Sequence, residues 1–185
     1  MTIAEFLAWE EGQETRHEFD GLHPVPVPDE SAAHARIQAN LVGLMRARMR
    51  QGAGQVYGIA FKVEVADCVR YPDAVVACTR WPADTTLIHD PVIIFEILGP
   101  ATHALDRITK NREYAATPSV RRYVRLEPDR IAATVFARID GAWRGLLLGE
   151  CEMLRLPEIG LDLPLADLYA GLDLPADPDA AARDP

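Results

Sequence analysis

Val92-Ile93-Ile94-Phe95-Glu96-Ile97-Leu98 is an apolar run broken by one carboxylate. It lacks polar alternation and ends at Gly99-Pro100, so it reads as a strand covered on both faces of a sheet. Glu96 therefore stands where a charge is costly unless it binds something. Upstream, Tyr71-Pro72-Asp73-Ala74-Val75-Val76-Ala77-Cys78 repeats the situation and predicts a second central strand carrying Asp73. Downstream, Ala104 to Ala116 predicts a helix that stops before Pro118. That helix carries Lys110, one of only two lysines among 19 basic residues, the other being Lys62. Two carboxylates suited to a hard metal ion, beside an amine whose proton affinity can be shifted, form a set for metal-assisted phosphodiester hydrolysis.

The remaining elements follow outward from this centre. Thr2-x-x-Glu5 is a capping box for a short amphipathic helix ending near Glu11-Gly12. Arg16 to Val27 turns at Asp20-Gly21 and carries Pro24 and Pro26, which predicts an edge hairpin. Ser31 caps a longer helix to about Arg50, stopped by Gln51-Gly52-Ala53-Gly54. Two strands are expected within Val56–Val65. Three more follow at Arg121–Leu126, Ile131–Arg138 and Trp143–Leu148, the last two joined by Asp140-Gly141. A short helix over Leu165–Leu172 closes the pattern. Residues 1–174 are expected to form a single α/β domain. Residues 175–185, polar and rich in proline, predict a disordered tail.

Composition limits the function classes. Cys68, Cys78 and Cys151 match no metal or disulfide pattern, and no run approaches the ~18 apolar residues of a spanning helix, so a cytoplasmic protein outside the membrane is expected. The formal charge is −9, which at first opposes a polyanionic partner. The acid lies in the flanks, however: residues 31–130 hold 14 basic against 10 acidic residues.

Taken singly, each candidate also has a structural reading. Asp73 can be a strand-start acid bonded to a turn, Glu96 half of a buried ion pair, Lys110 a helix lysine paired with Asp106, and His34 a satisfied histidine. Order and spacing together favour chemistry. Pro72-Asp73, then Glu96 23 residues later, then Lys110 14 residues beyond resembles the PD-(D/E)XK nuclease superfamily, with the lysine displaced onto the following helix because Leu98 occupies its usual strand position. More narrowly, the chain resembles the Uma-type family of restriction endonucleases. The resemblance rests on Glu18-Phe19-Asp20-Gly21, Ser31-Ala32-Ala33-His34, Pro72-Asp73, Glu96-Ile97-Leu98-Gly99-Pro100-Ala101-Thr102 and Asp106-Arg107-Ile108-Thr109-Lys110-Asn111-Arg112-Glu113-Tyr114. It departs at Gly99 and Ala101, where the family carries hydroxyls, and in a first hairpin one residue shorter.

The resemblance implies a restriction-endonuclease-like fold, a central mixed β-sheet flanked by α-helices. It also implies a catalytic set of Asp73, Glu96 and Lys110, with Mg²⁺ held by Asp73, Glu96 and the Ile97 carbonyl and Mn²⁺ as substitute. Glu18 and His34 are expected in support at the rim, and Asp106, one turn before Lys110, is expected to hold the ammonium. The expected activity is DNA hydrolysis, and cleavage of both strands suggests a homodimer. The alternative is a catalytically degenerate module that binds nucleic acid or dimerises.

Overall fold

The computed structural model describes residues 1–49, 54–58, 60–99 and 104–174, without the side chains of 104–106. The expected tail, the helix stop at 51–53 and the turn at 100–102 lie outside these residues. Helix α1 (Ile3–Glu10) begins with the capping box: the Thr2 side chain accepts from the Glu5 N–H, and the Glu5 carboxylate accepts from the Thr2 N–H at 2.7 Å. Strands β1 (His17–Phe19) and β2 (Pro24–Pro26) form the edge hairpin. Asp20 closes its turn by accepting from the Leu22 and His23 N–H groups. Ser31 caps α2 (Ala32–Arg48), whose Ile37, Leu41 and Met45 make one buried stripe.

Strands β3 (Gln55–Gly58), β4 (Lys62–Val65), β5 (Cys68–Arg70), β6 (Ala74–Ala77), β7 (Leu87–Ile88) and β8 (Ile93–Ile97) precede α3 (Ala104–Ala116). After it come β9 (Arg122–Leu126), β10 (Ala133–Ile139), β11 (Ala142–Leu148), β12 (Met153–Leu156) and β13 (Leu161–Pro164). The main sheet runs β11-β10-β9-β8-β6-β3, antiparallel except for the β8–β9 pair that α3 bridges. A second sheet runs β2-β1-β5-β4-β7. Every residue of β8 is buried. Its Ile93 and Phe95 join Ala74 and Val124 against α2, while Ile94, Val75 and Tyr123 pack with Tyr114 of α3 and with Val63 and Val65 of β4. The fold is thus α/β with a central mixed sheet between helices.

The local structure departs from the sequence reading in four places. The strand expected from Tyr71 begins only at Ala74, since Pro72 has no N–H to give a ladder. The β4–β5 hairpin had no turn signal, because Ala66 and Asp67 take left-handed φ of 45° and 63° where Asn-Gly is usual. The β12–β13 hairpin was also unforeseen, and the closing helix is a 3-10 turn over Leu165–Tyr169.

Candidate active site

The register of β6 and β8 sets Ala74 opposite Phe95, and the Asp73 N–H continues the ladder by donating to the Phe95 carbonyl at 3.0 Å. Asp73, just before β6, and Glu96 of β8 thus lie close enough for their charges to interact. The Asp73 carboxylate accepts from the Ile97 N–H at 2.7 Å, and its backbone carbonyl accepts from Gln38 of α2 at 2.9 Å. Glu96 accepts from the Lys110 ammonium at 3.1 Å and from the Tyr114 hydroxyl at 2.5 Å, four residues further along the same helix face. Lys110 donates equally, at 3.1 Å, to Glu18 of β1. Glu18 is held in turn by the Arg70 guanidinium at 3.1 Å and the Tyr71 N–H at 3.0 Å. Arg70 forks onto Glu113 of α3 with bonds of 2.8 and 2.6 Å. Four segments distant in the chain are thereby tied at one point.

This network is buried: Glu18, Asp73, Glu96 and Lys110 are each 8% exposed. Burial pushes the Glu96 carboxyl up to about 7, and the charges of Glu18 and Asp73 add to burial against the opposing pull of Lys110. Burial would raise Glu18 too, but Lys110 and Arg70 outweigh it and hold Glu18 below the usual carboxylate range. His34 is 2% exposed. Burial lowers its proton affinity, but Asp73 and Glu30 more than restore it, so it lies above the ordinary histidine value. The His34 Nε2 lies 3.1 Å from an Asp73 oxygen and 3.6 Å from Glu30, a buried imidazole beside the carboxylates.

Among the described residues, no three His, Cys, Asp or Glu side chains form a set able to enclose a metal ion. The residues that could hold one are two carboxylates and the Ile97 carbonyl, an oxygen set that leaves room for waters and suits Mg²⁺. Two acids share one ammonium, and Glu96, already made a weaker acid by burial, is pushed further by the charges of Glu18 and Asp73, an arrangement that a cation would relieve.

Asp73, Glu96, Lys110, Glu18 and His34 therefore come together. Glu18 and His34 are corrected from the rim to the buried interior, because Arg70 and Asp73 respectively draw them in. The Asp106 side chain lies outside the described residues, and the hydrogen bonds described for Lys110 go to Glu18 and Glu96. Sequence reading missed Arg70, Tyr71 and Glu113 and assigned no role to Tyr114. Its spacing of four from Lys110 was the available signal.

A mixed sheet between helices, with a strand-borne acid pair and a helix-borne lysine, defines a restriction-endonuclease-like fold. Residues 3–166 match the Uma2 family, described as putative restriction endonuclease, and the chain belongs to that family. It is similar, at 28% identity over 176 residues and 93% of each chain, to an uncharacterized protein of Synechocystis sp. (strain ATCC 27184 / PCC 6803 / Kazusa). The fold also matches the crystal structure of a putative nuclease belonging to DUF820 from Anabaena variabilis ATCC 29413. The TM-score is 0.76 at 19% identity, covering 91% of this chain and 97% of that one.

Proposed function

We propose that this protein is a divalent-metal-dependent endonuclease hydrolysing DNA phosphodiester bonds. The observation that carries the reading is the Lys110 ammonium, buried and shared at 3.1 Å by Glu96 and Glu18, with the Asp73 charge acting on Glu96. Asp73, Glu96 and the Ile97 carbonyl would hold Mg²⁺, or Mn²⁺ in its place. The bound ion would screen the phosphate, lower the pKa of a water and stabilise charge in the transition state. Lys110, as an ammonium, orients the attacking water and stabilises developing charge, which a larger planar guanidinium does poorly at the same place. Glu18 keeps the ammonium aimed at the site, with Arg70 and the Tyr71 N–H fixing Glu18. Tyr114 fixes the Glu96 carboxylate, and His34 holds a proton at Nε2 beside Asp73.

Compartment and assembly belong to the same reading. No disulfide joins Cys68, Cys78 and Cys151, which suits the cytoplasm. Among the described residues, no helix is long and apolar enough to cross a membrane. A homodimer would present one site to each strand of a duplex.

The test is a cleavage assay on supercoiled plasmid with Mg²⁺ or Mn²⁺, with Lys110→Ala alongside. Nicked or linear product from wild type, and none from the variant, is expected. Uncut plasmid with duplex binding retained would support the degenerate module instead.

A further inference from the structure

On β9, beside Glu96, stands Arg125, which pairs with Glu96 in register and so shares its face. Despite this position Arg125 forms no ion pair with Glu96, whose two oxygens accept from Lys110 and Tyr114. Arg125 instead lays its guanidinium over the Phe136 ring at 5.0 Å, and its Nε is buried without a hydrogen-bond partner. Stacking occupies the π-face of a guanidinium and leaves its N–H edge free for an anion.

A second arginine shares this state. Arg107 lies three residues before Lys110 and one turn before Asn111, whose side chain accepts from Trp143 of β11 at 3.1 Å. Trp143 stacks in turn on Phe136, the ring beneath Arg125. Arg107 therefore sits on the flank of α3 that faces the β9–β11 side of the sheet, next to the lysine of the site. It is half-buried, and its Nε too is buried without a partner. In a chain of net charge −9, buried Arg70 is answered by Glu18 and Glu113 and half-buried Arg122 by Glu158, while half-buried Arg138, stacked on Trp143, gives its guanidinium to the Ala115 carbonyl instead. Among the described residues, no acid answers Arg107 or Arg125.

We infer that Arg107 and Arg125 form a phosphate clamp beside the carboxylates, gripping the nucleic-acid backbone next to the phosphodiester that the site attacks. The inference deepens the nuclease reading and rests on it for the substrate class. A planar fork binds phosphate oxygens in a bidentate manner, which fixes backbone position without reading sequence. The clamp lies on the β9 side of Glu96, whereas Glu18 and Arg70 close the opposite side through Lys110. The substrate backbone is therefore expected to run from Asp73 and Glu96 across β9 toward β10 and β11.

The experiment is fluorescence anisotropy of a labelled duplex on the full chain with Mg²⁺, in a Lys110→Ala background so that binding is read without turnover. Arg107→Gln and Arg125→Gln are compared across salt concentrations, with Arg125→Lys as the variant that keeps the charge but loses the fork. Thermal melts establish that each variant is folded. Each Gln variant is expected to weaken binding equally for unrelated sequences and to reduce the slope of log affinity against log salt by about one; the double variant should reduce it by about two. Arg125→Lys should keep the slope and lose affinity. Unchanged slope and affinity in folded Gln variants would overturn the clamp, even if wild type cuts DNA. Loss of the slope in a protein whose wild type never cuts would keep the clamp and overturn the nuclease reading. Absence of salt-dependent duplex binding overturns both.

Discussion

Glu96 is buried among like charges, with one ammonium and one phenol as its partners, and this makes its protonation a property of the fold. Its carboxyl is raised by burial to about 7, so between its ordinary 4.5 and that value the folded chain holds a proton that the unfolded chain has lost. Stability should therefore fall as pH rises through this window, by about 3 kcal/mol at completion. His34 acts in the same direction: its raised proton affinity contributes stability below its ordinary value that is lost as pH rises through its folded value. Glu18, lowered by Lys110 and Arg70 against its burial, acts oppositely and further toward acid, losing its contribution as pH falls through its folded value. Urea unfolding of the metal-free protein at pH 5, 6 and 7.5 should show the decline, and Glu96→Gln should flatten it. A wild-type curve as flat as that of the variant would mean Glu96 is charged throughout. Lys110 gives a kinetic prediction. Single-turnover cleavage at saturating Mg²⁺ should be lost in Lys110→Ala and not rescued in Lys110→Arg. An arginine rate within about threefold of wild type, only ~0.7 kcal/mol in barrier, would leave the lysine a merely electrostatic role.

Helix α1 is fastened to the site by the second lysine of the chain. Lys62 of β4 donates to Glu10 at 2.8 Å, and the Tyr71 hydroxyl donates to the other Glu10 oxygen at 2.6 Å. The N–H of that same tyrosine holds Glu18, so α1, β1 and the segment leading to Asp73 form one unit. Lys62→Ala leaves a buried carboxylate without its charge partner and should cost about 3 kcal/mol in urea unfolding, whereas Tyr71→Phe should cost about 1 kcal/mol. The Tyr71→Phe cleavage rate should stay near that of wild type, because the backbone N–H still fixes Glu18. At this scale legibility depended on local chemistry. The capping box at Thr2 and the Asp140-Gly141 turn, with φ of 50° and 78°, could be read because their residue types suit their backbones. The Ala66-Asp67 turn could not, since the β4–β5 pairing holds Ala66 at a left-handed φ of 45° that alanine does not favour alone.

For the molecule as a whole, an ion bound by the folded site alone must raise stability by mass action. Mn²⁺ at a hundred times its dissociation constant should add about 2.7 kcal/mol, or roughly 5–10 °C in Tm for a chain of this size. The shift should be larger at pH 8 than at pH 5, where the Glu96 proton competes with the ion, and absent in Asp73→Asn. Differential scanning calorimetry in EDTA and in Mn²⁺ measures this, and an unmoved wild-type Tm at both pH values would overturn the metal reading.

The sequence by itself determined the buried central strands, the helices that cover them and the acid pair with its distant lysine. Apolar runs, caps and a rare lysine are statements about local free energy, and a Glu inside Val92–Leu98 is conspicuous without coordinates. Only the tertiary structure decided who holds whom. Glu18 lies 92 residues from Lys110, and Arg70 lies 43 from Glu113, and no periodicity links such pairs. The same packing turned Arg125 away from Glu96 and onto Phe136. The physical reason is burial: once these groups leave water, each charge takes the partner that chain topology brings within about 3 Å, and that partner is set by the sheet register and the path of α3 across it.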